Sequence, residues 1–113
     1  MRIRLFVTAT ATMILGWPLA AHASCKEGIC VSGRDEGNVH IIDFTSNWKN
    51  ITHFNFNDGH GQRELGSNER QVTVPLSSSR PITIHYGFQA CGGGGFLQKS
   101  GCTPWAQFEH TAQ

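Results

Sequence analysis

The chain has 113 residues, and its nine lysines and arginines against eight aspartates and glutamates give a formal net charge of +1. The cations stand singly along the sequence, which excludes the clustered positive charge that nucleic-acid binding requires. The length suits one domain and is too short for two.

The first 23 residues are typical of a bacterial export signal. Arg2 and Arg4 give a positive start, residues 5–20 are mostly apolar, and residues 21–23 place small side chains at the cleavage positions. We expect residues 1–23 to be a cleaved signal peptide and residues 24–113 to form a single secreted or periplasmic domain. After cleavage no integral membrane segment remains in the sequence, and the formal net charge becomes −1 because both leader arginines are lost.

Alternation of apolar and polar residues predicts strands, and no stretch shows a sustained helical period. The predicted strands span residues 38–45, 51–57, 70–76, 82–89 and 104–110. The first two are expected to form a hairpin through residues 46–50. In the later strands, the inward-facing positions include Val72, Val74, Tyr86 and Phe88. The predicted fold is an all-β, small antiparallel β-sandwich or open barrel of about five to seven strands, stapled by two disulfides.

Four cysteines, Cys25, Cys30, Cys91 and Cys102, enter an oxidising compartment if the signal is used. Three pairings are possible, and the low entropy of closing short loops favours Cys25 with Cys30 and Cys91 with Cys102. The competing pairing would tie the amino terminus to the later loop. Neither local spacing is the CxxC of a redox motif, so structural disulfides are expected.

The loop closed by Cys91 and Cys102 gives the leading functional hypothesis. It contains four successive glycines followed by two apolar residues: Gly92, Gly93, Gly94, Gly95, Phe96 and Leu97. Exposed apolar residues on a tethered loop favour contact with a protein partner. We therefore predict a small non-enzymatic interaction module. The competing interpretation folds Phe96 and Leu97 back into the core.

Two alternatives invoke other residues. A lectin-like or small-ligand-binding domain would use Trp48 or Trp105 to stack on a sugar ring, with nearby amides as hydrogen-bonding groups: Asn47, Asn50, Asn55 and Gln107. A histidine-based metal-binding protein would use His53 and His85 from neighbouring strands. Because no HxH or HxxxH spacing occurs, the metal site is the weaker alternative, and we predict no cofactor.

Catalysis ranks behind binding. The sequence shows no nucleophile in an elbow context and no carboxyl pair in apolar surroundings. A protein partner is expected and nucleic acid is not. Strand 70–76, if it lies at a sheet edge, is the candidate for pairing across a two-fold axis in a homodimer.

Overall fold

The computed structural model describes residues 23–92 and 101–113, which form two antiparallel sheets of four strands each. The strands are β1 (Ser24–Lys26), β2 (Ile29–Glu36), β3 (Val39–Ser46), β4 (Ile51–Asn57), β5 (Gln62–Gly66), β6 (Gln71–Pro75), β7 (Ile82–Gly92) and β8 (Ala106–Ala112). The strand order is β1-β2-β3-β6 in the first sheet and β5-β4-β7-β8 in the second. The predicted all-β sandwich is confirmed. Within the described residues, no helix is long and apolar enough to cross a membrane.

The described residues form eight strands rather than five to seven, because the sequence pattern did not predict β1, β2 and β5. Strand β1 has only three residues. The second half of β2 is charged and contains Gly33, and β5 has Leu65 as its one buried residue. These strands therefore lack the alternation on which the prediction depended. Their place in the sheets comes from pairing, of β1 with β2, of β2 with β3 and of β5 with β4.

The predicted hairpin through residues 46–50 is wrong. Strand β3 pairs with β2 and β6, whereas β4 pairs with β5 and β7 in the other sheet. The connection is fastened to the β1–β2 turn, where Asn47 N–H donates to Gly28 O at 2.9 Å and Trp48 Nε1 donates to Glu27 O at 2.8 Å. Gly28 has a φ of 78°, which favours glycine, and the Trp48 ring lies over it. The segment therefore crosses between sheets.

An aromatic cluster joins the two sheets. Phe44 of the first sheet packs edge-on against Phe54, with ring centroids 5.2 Å apart, and against Phe88 at 4.6 Å. Phe56 extends the cluster, 4.8 Å from Phe88. All four rings are at most 1% exposed. Burial of this apolar surface is the main force that holds the sheets face to face.

The inward faces and the disulfides follow the sequence prediction. Val72, Val74, Tyr86 and Phe88 are buried. The pairing is the local one, Cys25–Cys30 and Cys91–Cys102. Two disulfides are consistent with an oxidising environment. Strand β6 does lie at an edge of the first sheet, and the homodimer stays a prediction.

Tyr86, the only tyrosine of the chain, provides a spectroscopic test of this core. Burial raises its pKa from 10.0 to about 12, because the phenolate is poorly solvated inside the sandwich. The neutral phenol thus contributes stability that is complete below pH 10.0 and is lost as the pH rises toward about 12. We expect ultraviolet absorbance to show phenolate near pH 12 in the folded protein and near pH 10 in guanidinium. A midpoint near 10 with native circular dichroism would contradict the buried placement.

Candidate functional site

A row of polar residues crosses the outer face of the second sheet. The register places Gln62 opposite Asn57, Asn57 opposite Gly87, and Gly87 opposite Gln107, so that all four strands contribute one residue. Their chain neighbours on β4, β7 and β8 are buried, and side chains alternate along a strand, so this row faces outward. We call these four residues the amide row. Three of its four members are amides, and the fourth has no side chain.

Gly87 has no side chain, and the side chains of Gln107 and Trp105 lie close over its backbone. A Cβ on Gly87 would lie 3.1 Å from Gln107 Oε1 and 3.2 Å from both Trp105 Cε3 and the Ala106 carbonyl oxygen. Beside them is a groove of about 240 Å³, whose lining includes the amide row, Trp105 and His85. We call it the amide groove. Among the described residues, its lining combines a half-buried indole with several amide groups and contains no lysine, arginine or acid.

The wall residues of the amide groove are held by contacts outside it. Asn57 Oδ1 accepts a hydrogen bond from Gly59 N–H at 2.8 Å. The backbone oxygen of Gln107 accepts one from Lys26 Nζ at 2.7 Å, and Lys26 also lies 5.5 Å from the centroid of the Phe108 ring. The Lys26 contacts tie β8, which carries Gln107, to the first sheet.

The two tryptophans of the lectin-like hypothesis occupy different places. Trp105 borders the amide groove, and Trp48 packs against the hydrophobic core over the β1–β2 turn. Of the amides expected near them, Gln107 lies in the groove. Asn55 instead donates to Gln89 Oε1 at 3.0 Å, farther along the same face. The sequence did not single out Asn57, Gln62 or Gly87, because only the strand register aligns them.

The structure describes only the first residue of the predicted binding loop. Gly92 is the last residue of β7, whereas Gly93, Gly94, Gly95, Phe96 and Leu97 lie outside the described residues. Contact of this loop with a protein partner therefore stays a prediction.

His53 and His85 do lie on neighbouring strands, but His53 pairs with Cys91 and His85 with Glu109. Six residues of β7 separate those positions, roughly 20 Å of extended chain. The structure does not bring the two histidines together. The sulfur atoms near His53 belong to the Cys91–Cys102 disulfide and offer no thiolate to a metal.

A different histidine pair meets where the two sheets face each other. Asp35 of β2 lies directly opposite His40 of β3, and His110 arrives from β8 of the second sheet. His40 Nδ1 lies 2.7 Å from Asp35 Oδ1, and His110 Nε2 lies 3.0 Å from both carboxylate oxygens. The imidazole rings stack with centroids 3.8 Å apart. We call these three residues the histidine cluster.

Burial and hydrogen bonds act in opposite directions on the pKa values of His40 and Asp35. His40 is 2% exposed, and burial lowers its pKa although the hydrogen bond with Asp35 acts in the opposite direction. For Asp35, burial raises the pKa, but hydrogen bonds from His110 and His40 outweigh it, and the net pKa is lowered. Asp35 is therefore a carboxylate at neutral pH, and each histidine donates an N–H to it.

Gly33 makes room for the buried ring of His40. A Cβ at Gly33 would lie 2.6 Å from His40 Cε1 and Nε2, closer than non-bonded atoms approach. No local pattern in the sequence predicts this cluster, because Asp35 and His110 are 75 residues apart and belong to different sheets.

Comparison of the chain with protein-family models, with curated proteins and with solved structures gives no significant match.

The contact between Gly33 and His40 predicts a substitution effect. We expect Gly33→Ala to lower the free energy of unfolding by about 1–3 kcal/mol, because the added methyl displaces a buried ring. The matched control is Gly61→Ala, since a Cβ there meets nothing within 4 Å. Chemical denaturation of both variants measures the difference. Equal stability of the two variants would contradict the packing described here.

Proposed function

We propose that the protein is an exported, non-enzymatic domain that binds neutral saccharides in the amide groove. The observation that carries the proposal is the groove beside Gly87, lined by the Trp105 indole and by amides contributed by three other strands. Export is supported by the residue pattern of positions 1–23 and by the two disulfides.

The chemistry of the groove matches that of a sugar ring. Each carboxamide offers both a donor and an acceptor, so one side chain can pair with two neighbouring hydroxyl groups. The indole offers a flat apolar surface for the C–H face of the ring. The lining contributed by the described residues has no lysine, arginine or acid, which favours an uncharged ligand.

The size of the groove limits the ligand. Its volume of about 240 Å³ lies below the roughly 300–1,000 Å³ of pockets that hold drug-sized molecules. One sugar ring fits this space better than an oligosaccharide enclosed along its length. The groove is open to solvent on the outer sheet face, so that ring can belong to a longer glycan.

Gly87 also needs an explanation, because glycine in the middle of a strand weakens it. One explanation is structural: the indole of Trp105 covers the backbone of Gly87, as aromatic residues do for glycines in other sheets. The other is that a side chain at this position would displace Gln107 and Trp105 from the places in which they line the amide groove. Substitution of Gly87 and of Trp105 distinguishes the two explanations, since only the second connects these residues to saccharide binding.

The test is a titration with a panel of neutral saccharides, followed by tryptophan fluorescence and calorimetry. We expect a blue shift with at least one saccharide. Trp105→Ala should weaken binding roughly tenfold or more through the loss of stacking. Gln107→Ala should weaken it by about 2- to 10-fold, as expected for one hydrogen bond. Gly87→Val, whose branched side chain would press against Gln107 and the Trp105 indole, should abolish it.

Trp48→Phe is the matched control for Trp105→Ala, because Trp48 lies outside the amide groove. It should leave saccharide affinity unchanged and make Trp105 the fluorophore of the cleaved chain. A flat titration across the whole panel would contradict the proposal. So would binding that survives both Trp105→Ala and Gly87→Val.

A further inference from the structure

We propose that the histidine cluster, Asp35, His40 and His110, binds one divalent transition-metal ion, with zinc as the probe. Two imidazole nitrogens and one carboxylate oxygen form a ligand set suited to zinc and neighbouring first-row metals. The site is separate from the amide groove, which lies on the outer face of the second sheet.

The three ligand atoms already converge. They lie within 4.8 Å of one another, and both histidines direct a nitrogen at the same carboxylate. A tetrahedral zinc ion with bonds of 2.0–2.2 Å holds its ligand atoms roughly 3.3 Å apart. Because the two imidazole rings are stacked 3.8 Å apart and nearly parallel, at least one ring must rotate about its side-chain torsions to direct its in-plane lone pair at a shared ion. The strands that carry the ligands keep their pairing.

The proton balance on binding is simple. In the hydrogen-bonded state, His40 carries its proton on Nδ1 and His110 on Nε2, because both donate to Asp35. The metal takes the lone pairs of these two nitrogens. Each of these nitrogens loses its proton to water, and in the metal-bound state each ring carries one proton, on its far nitrogen.

A neighbouring cavity gives the ion access and room for a water ligand. It has a volume of about 220 Å³ and is bordered by His40 and His110 together with Ser24, Ser32 and Glu109. Three protein ligands with an open fourth position are typical of sites in which zinc keeps a water molecule. Glu109 places a further acid at the rim, which favours a cation.

The test is equilibrium dialysis of the oxidised protein against zinc chloride after treatment with a chelator. We expect one zinc ion per chain and a higher melting temperature with zinc. His110→Ala and Asp35→Asn should weaken binding by about a hundredfold or more, since even the loss of an outer partner costs 10- to 100-fold. His60→Ala is the control, because His60 is an exposed histidine outside the cluster.

A measurement on the unmodified protein keeps the test independent of variant folding. Long-range ¹H–¹⁵N spectra of the imidazoles should show zinc on Nδ1 of His40 and on Nε2 of His110, with the proton of each ring moved to the other nitrogen. Zinc-induced changes confined to His53, His60 or His85 would overturn the proposal. So would the absence of stoichiometric zinc, or equal affinity in the His110→Ala and His60→Ala variants.

Discussion

The packing of Phe44 on Phe54 and Phe88 is the contact on which the rest of the structure depends. It brings one sheet against the other with rings 5.2 and 4.6 Å apart, and it fixes which face of each strand is internal. Once β4 and β7 turn their phenylalanines inward, Asn57 and Gly87 must lie on the outer face of the sheet, where Trp105 and Gln107 cover Gly87. The same closure carries β8 toward β2, which is how a histidine of one sheet reaches an aspartate of the other.

Two glycines, each in the middle of a strand, mark the two candidate sites. Gly33 has no side chain at the point where the His40 ring lies, and Gly87 has none at the point where the Trp105 ring lies. Glycine in a strand costs stability relative to a β-branched residue, so each position carries a cost that ordinary sheet packing does not require. At Gly33, the absence of a side chain leaves space for a buried imidazole that is held against a carboxylate. At Gly87, the side chains of Gln107 and Trp105 lie close over the strand and line the amide groove, which supports the proposal of a saccharide site.

The sequence predicted the features that depend on local alternation or on short loops. Strands around Phe54, Val72 and Phe88 and both disulfides are where the pattern placed them. The prediction was wrong where strand pairing depends on residues distant in the sequence. Residues 46–50 resemble a hairpin loop, but Asn47 and Trp48 bind this segment to the turn at Gly28. Trp105 and Gln107 were identified as candidate sugar contacts, whereas the amide row and the histidine cluster depend on register and sheet closure, which no local spacing encodes.

The most direct test of the saccharide proposal is a backbone and side-chain NMR titration of the isotope-labelled protein with the tightest-binding sugar of the panel. The account predicts shifts concentrated at the Gly87 and Gln107 amides, the Asn57 and Gln62 carboxamides and the Trp105 indole N–H, with the aromatic core unperturbed. Shifts confined to residues 92–102 would contradict it and direct attention to the disulfide-closed loop. If no sugar of the panel produced shifts, saccharide binding would be removed as the function of the amide groove.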